Sequence, residues 1–112
     1  MEHPDRPYLQ DILDRIARIE ECIRKGKETF DKDTIVQDAV IRNFEVIGEA
    51  VKHLSPFLKE KHHHVPWKDI AGMRDKMIHD YLGVDILLIW NIATEEMPAL
   101  KRTIEEILKE SR

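Results

Sequence analysis

The chain has 112 residues, 42% hydrophobic and 36% charged, with 22 acidic residues against 18 lysines and arginines. That length supports a single domain over residues 1–112, with a radius of gyration of roughly 13 Å, and excludes two. One cysteine, Cys22, excludes an internal disulfide and any multi-cysteine metal site. The net charge of −4 argues against a dedicated nucleic-acid binder, whose affinity rests on phosphate contacts.

No stretch approaches the roughly 18 apolar residues of a membrane span. The opening MEHPDRPYLQ lacks the layout of a signal peptide. A cytoplasmic protein with no membrane partner is expected. Glycine and proline are scarce, at 4 and 5 residues, which favours long amphipathic helices over a sheet.

The first helix is predicted from about Arg6 to Lys25. Leu9, Ile12, Leu13, Ile16, Ile19 and Ile23 share one face, and Gly26 follows a basic last turn as the stop. KETFDKD reads as a polar link. Asp31 or Asp33 then caps a second helix reaching about Leu54. Its stripe is Val36, Val40, Phe44, Ile47, Val51 and Leu54, with Asp38, Arg42, Glu45, Glu49 and Lys52 on a narrow polar face that suits solvent. Gly48 costs a helix interior about 1 kcal/mol relative to alanine, so it marks a close helix approach.

Ser55-Pro56 ends that helix, and FLKEKHHHVPW is a connector with at most a helical turn. A third helix is expected from about Pro66 to Tyr81. Leu82-Gly83-Val84 makes a tight link, and Asp85 caps a fourth helix reaching about Glu110. Pro98 should kink it, because its ring clashes with the preceding turn and it lacks a donor. The fold class is therefore all-α, an up-down bundle of four to five helices, with wide apolar stripes left over for a partner or a second copy.

GMRDKMIHDYLGVD, residues 72–85, holds the candidate chemistry. On a continuous helix Asp75 and His79 lie one turn apart. The carboxylate would orient the imidazole, and the helix end would favour its charged form. Arg74 and His79 are about 140° apart on an ideal helix and do not converge. Either the helix unwinds near His79, or another copy of the chain completes the pair. Arginine and histidine suit metal-free phosphodiester chemistry, with arginine clamping phosphate and histidine moving a proton. A surface Asp–His pair beside an ordinary arginine is the plainer alternative.

Arg74-Asp75-Lys76-Met77-Ile78-His79-Asp80-Tyr81, read as R-x-x-x-x-H-x-Y, resembles the signature of the HepT-like branch of HEPN-domain ribonuclease toxins. RNFEVIGEA (42–50), VPW (65–67), DIAGMRDKMIHDYLGVD and MPALK (97–101) look like the same family, in order. The resemblance implies a dimerising HEPN-like bundle and the toxin of a prokaryotic type VII toxin–antitoxin system. Arg74 and His79 would then be the catalytic pair of a metal-independent endoribonuclease in a cleft between two protomers. Asp75 takes the commonly polar position after the arginine. Tyr81 would receive AMP from a partner minimal nucleotidyltransferase, the MNT-type antitoxin. RNA is the implied substrate, and no cofactor is called for.

In that light Arg42, Asn43, Glu45 and Glu49 either support the cleft or simply face solvent, and Gly48 packs at a dimer seam. Arg74, Lys76, Arg42 and their symmetry copies would make a locally positive strip on an acidic surface. The rival reading is a non-catalytic helical subunit that binds and regulates a nucleotidyltransferase. A plain dimeric interaction bundle is the third. His62, His63 and His64 read as exposed connector histidines, Trp67 and Trp90 as core or interface anchors, and Cys22 as inert.

Overall fold

A computed structural model describes residues 4–79 and 83–110. Its helices are α1 (Arg6–Ile23), α2 (Lys27–Lys32), α3 (Thr34–His53), α4 (Pro56–Lys61), α5 (Trp67–Ala71), α6 (Met73–Met77), α7 (Ile86–Asn91) and α8 (Met97–Glu110). Between α6 and α7 two short extended segments, β1 (Ile78–His79) and β2 (Gly83–Val84), pair antiparallel. The fold is all-α, as expected.

α1 and α3 pack along their length and form the spine of the molecule. Leu9, Ile12, Ile16 and Ile19 meet Val40, Phe44, Ile47 and Val51, all but excluded from solvent. Each such side chain contributes about 1.5–3 kcal/mol by leaving water. Asp33 caps α3, its carboxylate accepting from the amides of Ile35 and Val36. The radius of gyration is 14.4 Å and the extents are 46 × 27 × 20 Å, because the two long helices set one long axis.

The link KETFDK is itself a helix, α2, which buries Phe30 beneath Trp90, with ring centroids 5.3 Å apart. Gln37, itself buried, donates from Nε2 to the carbonyls of Phe30 and Asp31 at 2.8 and 3.3 Å and so ties off the C-terminal end of that helix. The connector's helical turn is α4, with Ser55 as cap. Asp5, 3% exposed, accepts from the Ser55 amide at 2.7 Å and the Ser55 hydroxyl at 2.6 Å. That contact fastens the start of α1 to the α3–α4 corner.

The third helix departs from expectation. It breaks at Gly72 (φ −107, ψ 10) and ends at Met77, because Ile78 is extended (φ −110, ψ 121). Gly83, at φ +82, turns the backbone where other residues would be strained. The Asp85 amide donates to the Met77 carbonyl at 2.7 Å, closing the excursion at its base.

The fourth helix continues through a wide π-helical turn at Ile92–Glu96, in which the Met97 amide reaches the Ile92 carbonyl. Pro98 follows directly and has no amide to give. The wide turn absorbs the irregularity that proline imposes on a helix. Among the described residues, no helix is long and apolar enough to cross a membrane.

Candidate functional site

The polar face of α3 is not all solvent. α5 and α6 lie across it, because Gly48 has no side chain to hold them off. A β-carbon on Gly48 would sit 2.8 Å from the Ala71 carbonyl oxygen, closer than non-bonded atoms tolerate. The close approach expected at this glycine is therefore real, and it is made within the protomer, to the end of α5.

That contact sets α6 beside α3 and opens a cleft of about 370 Å³. It is lined by Arg42, Phe44, Glu45, Val46, Glu49, Lys52, Ala71, Gly72, Arg74 and Asp75. Arg74 reaches across the elements. Its Nε lies 3.4 Å from Glu45 Oε2, and its Nη1 lies 3.6 Å from Asp75 Oδ1. Lys52 pairs with Glu49 at 3.2 Å on the cleft wall.

Arg42, Lys52 and Arg74 are thus matched by Glu45, Glu49 and Asp75. The locally positive strip does not form within one protomer. Lys76, meant to extend it, lies 3.7 Å from Asp69 and lines a different groove. That larger groove, about 510 Å³, is mostly apolar, with Ile70, Met73, Leu88, Ile92, Met97 and Leu100 along it.

Three sequence expectations change here. Asp75 and His79 are not one turn apart on a helix, since the helix stops at Met77. For the same reason His79 does not sit in a helical last turn, and the helix-end argument for its charged form fails. The separation of about 140° between Arg74 and His79, which assumes a continuous helix, no longer applies either, since the helix unwinds ahead of His79. The His79 backbone is in β1, opposite Gly83. Asp80, Tyr81 and Leu82 lie outside the described residues, so the modification expected at Tyr81 falls there too.

Asn43 is not in this cleft. It sits about 200° from Glu45 around α3. It is buried against α1, with Nδ2 donating to the Ala39 carbonyl at 2.8 Å and Oδ1 accepting from Arg15 at 3.3 Å. Arg15 was not singled out from the sequence. Its Nε is buried without a hydrogen-bond partner and stands 3.9 Å from Asp11. Only a residue pair facing across two helices could have flagged it.

The histidine run is structural in its contacts. His62 Nε2 is 3.4 Å from Glu110 Oε2, its carbonyl accepts from the Trp67 indole at 3.0 Å, and His63 Nδ1 approaches the Glu60 carbonyl at 3.1 Å. Among the described residues, no three His, Cys, Asp or Glu side chains are grouped to hold a metal. Burial, with Glu21 adding to it, pushes the Cys22 thiol above its ordinary value.

The all-α architecture is consistent with the HEPN-like helical class. The ribonuclease HepT-like family matches residues 12–107. A candidate RNase of Caldanaerobacter subterraneus subsp. tengcongensis is 44% identical over 108 residues, covering 96% of each chain. A Thermococcus cleftensis protein named as a probable ribonuclease HepT is 42% identical over 110 residues, 97% of this chain and 100% of its own. A Methanocaldococcus jannaschii protein named as a gamma-glutamylcyclotransferase and candidate RNase is 44% identical over 104 residues, 92% of this chain and 47% of its own. No solved structure matches. The chain belongs to the ribonuclease HepT-like family, and so to the ribonuclease class of enzymes.

Proposed function

We propose that this chain is the toxin of a type VII toxin–antitoxin pair, a metal-independent endoribonuclease acting in the cytoplasm as a homodimer. The observation that carries the reading is the placement of Arg74 in the lining of a polar cleft, on a helix that ends at Met77, two residues before His79. Family membership and the R-x-x-x-x-H-x-Y spacing over residues 74–81 support it.

In the proposed reaction His79 takes the proton from a ribose 2′-hydroxyl. The 2′-oxygen attacks the neighbouring phosphorus, the bond to the 5′-oxygen breaks, and that oxygen receives a proton. The products are a 2′,3′-cyclic phosphate and a 5′-hydroxyl. Arg74 clamps the phosphate and meets the charge that grows on it in the transition state. A second protomer supplies its own Arg74 and His79 to the same cleft.

Neutralisation follows when a minimal nucleotidyltransferase antitoxin transfers AMP from ATP to the Tyr81 hydroxyl, releasing pyrophosphate. The added charge and bulk then repel RNA phosphate. The test is cleavage of RNA by the purified, unmodified protein in excess chelator. Wild type should cut, and Arg74→Ala and His79→Ala should not. Undiminished cleavage by both variants refutes the assignment.

A further inference from the structure

We propose that Glu45 is a positioning residue for Arg74. It holds one edge of the guanidinium in place so that the other edge is free to take the RNA phosphate. This rests on the ribonuclease reading above and assigns a role that the reading leaves open.

Arginine presents five N–H groups in a rigid planar fork, with a side edge at Nε and an end edge at the two Nη atoms. Glu45 approaches the side edge, 3.4 Å from Nε, while Asp75 approaches the end edge, 3.6 Å from Nη1. The two carboxylates are not equivalent. The Glu45 side chain is 35% exposed and the Asp75 side chain 84%. Glu45 stands on the 20-residue α3, whose distance from α5 is set by the contact of Gly48 with Ala71. Asp75 is the neighbour of Arg74 on a five-residue helix and is largely solvated.

An arriving phosphate therefore displaces Asp75 at little cost and takes the end edge, with Glu45 still on the side edge. Glu45 acts in two opposed ways. It repels the phosphate and so weakens binding, and it fixes the plane of the arginine and so favours the transition state. A residue that served only the fold would not split these effects.

The experiment is steady-state cleavage of a short RNA in chelator by the full-length protein and by Glu45→Gln, Glu45→Asp, Arg74→Ala and the double variant Glu45→Gln/Arg74→Ala, with RNA affinity measured in parallel. Glu45→Gln should lower kcat by about tenfold or more, since small misplacements of a clamp are costly, while KM falls. Glu45→Asp, which keeps the charge, should recover most of the lost kcat. In the Arg74→Ala background, Glu45→Gln should still tighten RNA binding, because the repulsion acts on the phosphate directly, but should lower the rate no further, because its effect on the rate runs through Arg74. Unchanged kcat and KM in Glu45→Gln, or a kcat loss accompanied by a rise in KM, overturns the positioning role. If Arg74→Ala cleaves like wild type, the ribonuclease reading of the cleft fails instead.

Discussion

Replacing Gly48 with alanine sets two effects of opposite sign against each other. Alanine in a helix interior is favoured over glycine by about 1 kcal/mol, so an uncontacted site would be stabilised. Here the new β-carbon would stand 2.8 Å from the Ala71 carbonyl oxygen and 3.4 Å from both the Ala71 carbonyl carbon and the Ile70 oxygen. These are backbone atoms, with no flexible end to swing aside. The end of α5 must retreat by about half an ångström, and overpacking of this kind costs about 1–3 kcal/mol. The rigid neighbour places Gly48→Ala in the upper half of that range, for a net loss of about 1–2 kcal/mol. At this chain length that corresponds to a melting temperature lower by roughly 4 °C or more. Urea unfolding with an unchanged m-value gives the number directly. The same displacement moves α6 relative to α3, so the contact of Arg74 with Glu45 lengthens and RNA cleavage should fall more than the residual fold accounts for. A variant stabilised by about 1 kcal/mol with full activity would show that propensity alone governs the site.

Two further outcomes follow from the packing. Asp5→Ala removes both acceptors that meet Ser55 at 2.6 and 2.7 Å, and should cost about 3 kcal/mol, since hydrogen bonds to a buried charged group are among the stronger ones. An unfolding measurement that finds almost no loss would mean that the corner is held by its apolar neighbours. The Cys22 thiol, raised by burial and then by Glu21, carries less thiolate than a free thiol at mildly alkaline pH. Iodoacetamide should modify it more slowly than glutathione at pH 8, and an equal or faster rate would contradict that environment.

The long helices were legible because their apolar residues repeat. Leu9, Ile12, Ile16 and Ile19 mark α1, and Val40, Phe44, Ile47 and Val51 mark α3, without any need for tertiary information. α2 was not legible. Six residues with Phe30 as their one buried side chain carry no period, and the helix is held from outside by Gln37 and Trp90. Met73, Met77 and Ile78 fit a helical stripe, so periodicity carries the third helix past its end at Met77. Nothing local reveals that Ile78 would pair with Val84 across a turn at Gly83.

The site divides in the same way. Periodicity placed Glu45 on the polar face of its helix but gave no partner for it, since Arg74 arrives from a different element. Asn43 and Glu45 stood in one motif and were grouped together. A helix sends neighbours so spaced to opposite sides, so one meets α1 and the other α6. Nearness along the chain does not put Lys76 in the cleft of one protomer. Lys76 follows Arg74 closely in sequence yet answers to Asp69 on another surface.

The wide turn at Ile92–Glu96 also acts as a gear in the last rod of the molecule. A turn that holds an extra residue makes every side chain beyond it lag behind uniform α winding. Before the turn, α7 serves α2, α3 and α6; after it, α8 serves α1. One uninterrupted rod thereby changes partners midway without a loop. The swivel comes from the phase of the winding, and Pro98 keeps the rod from slipping back into even pitch.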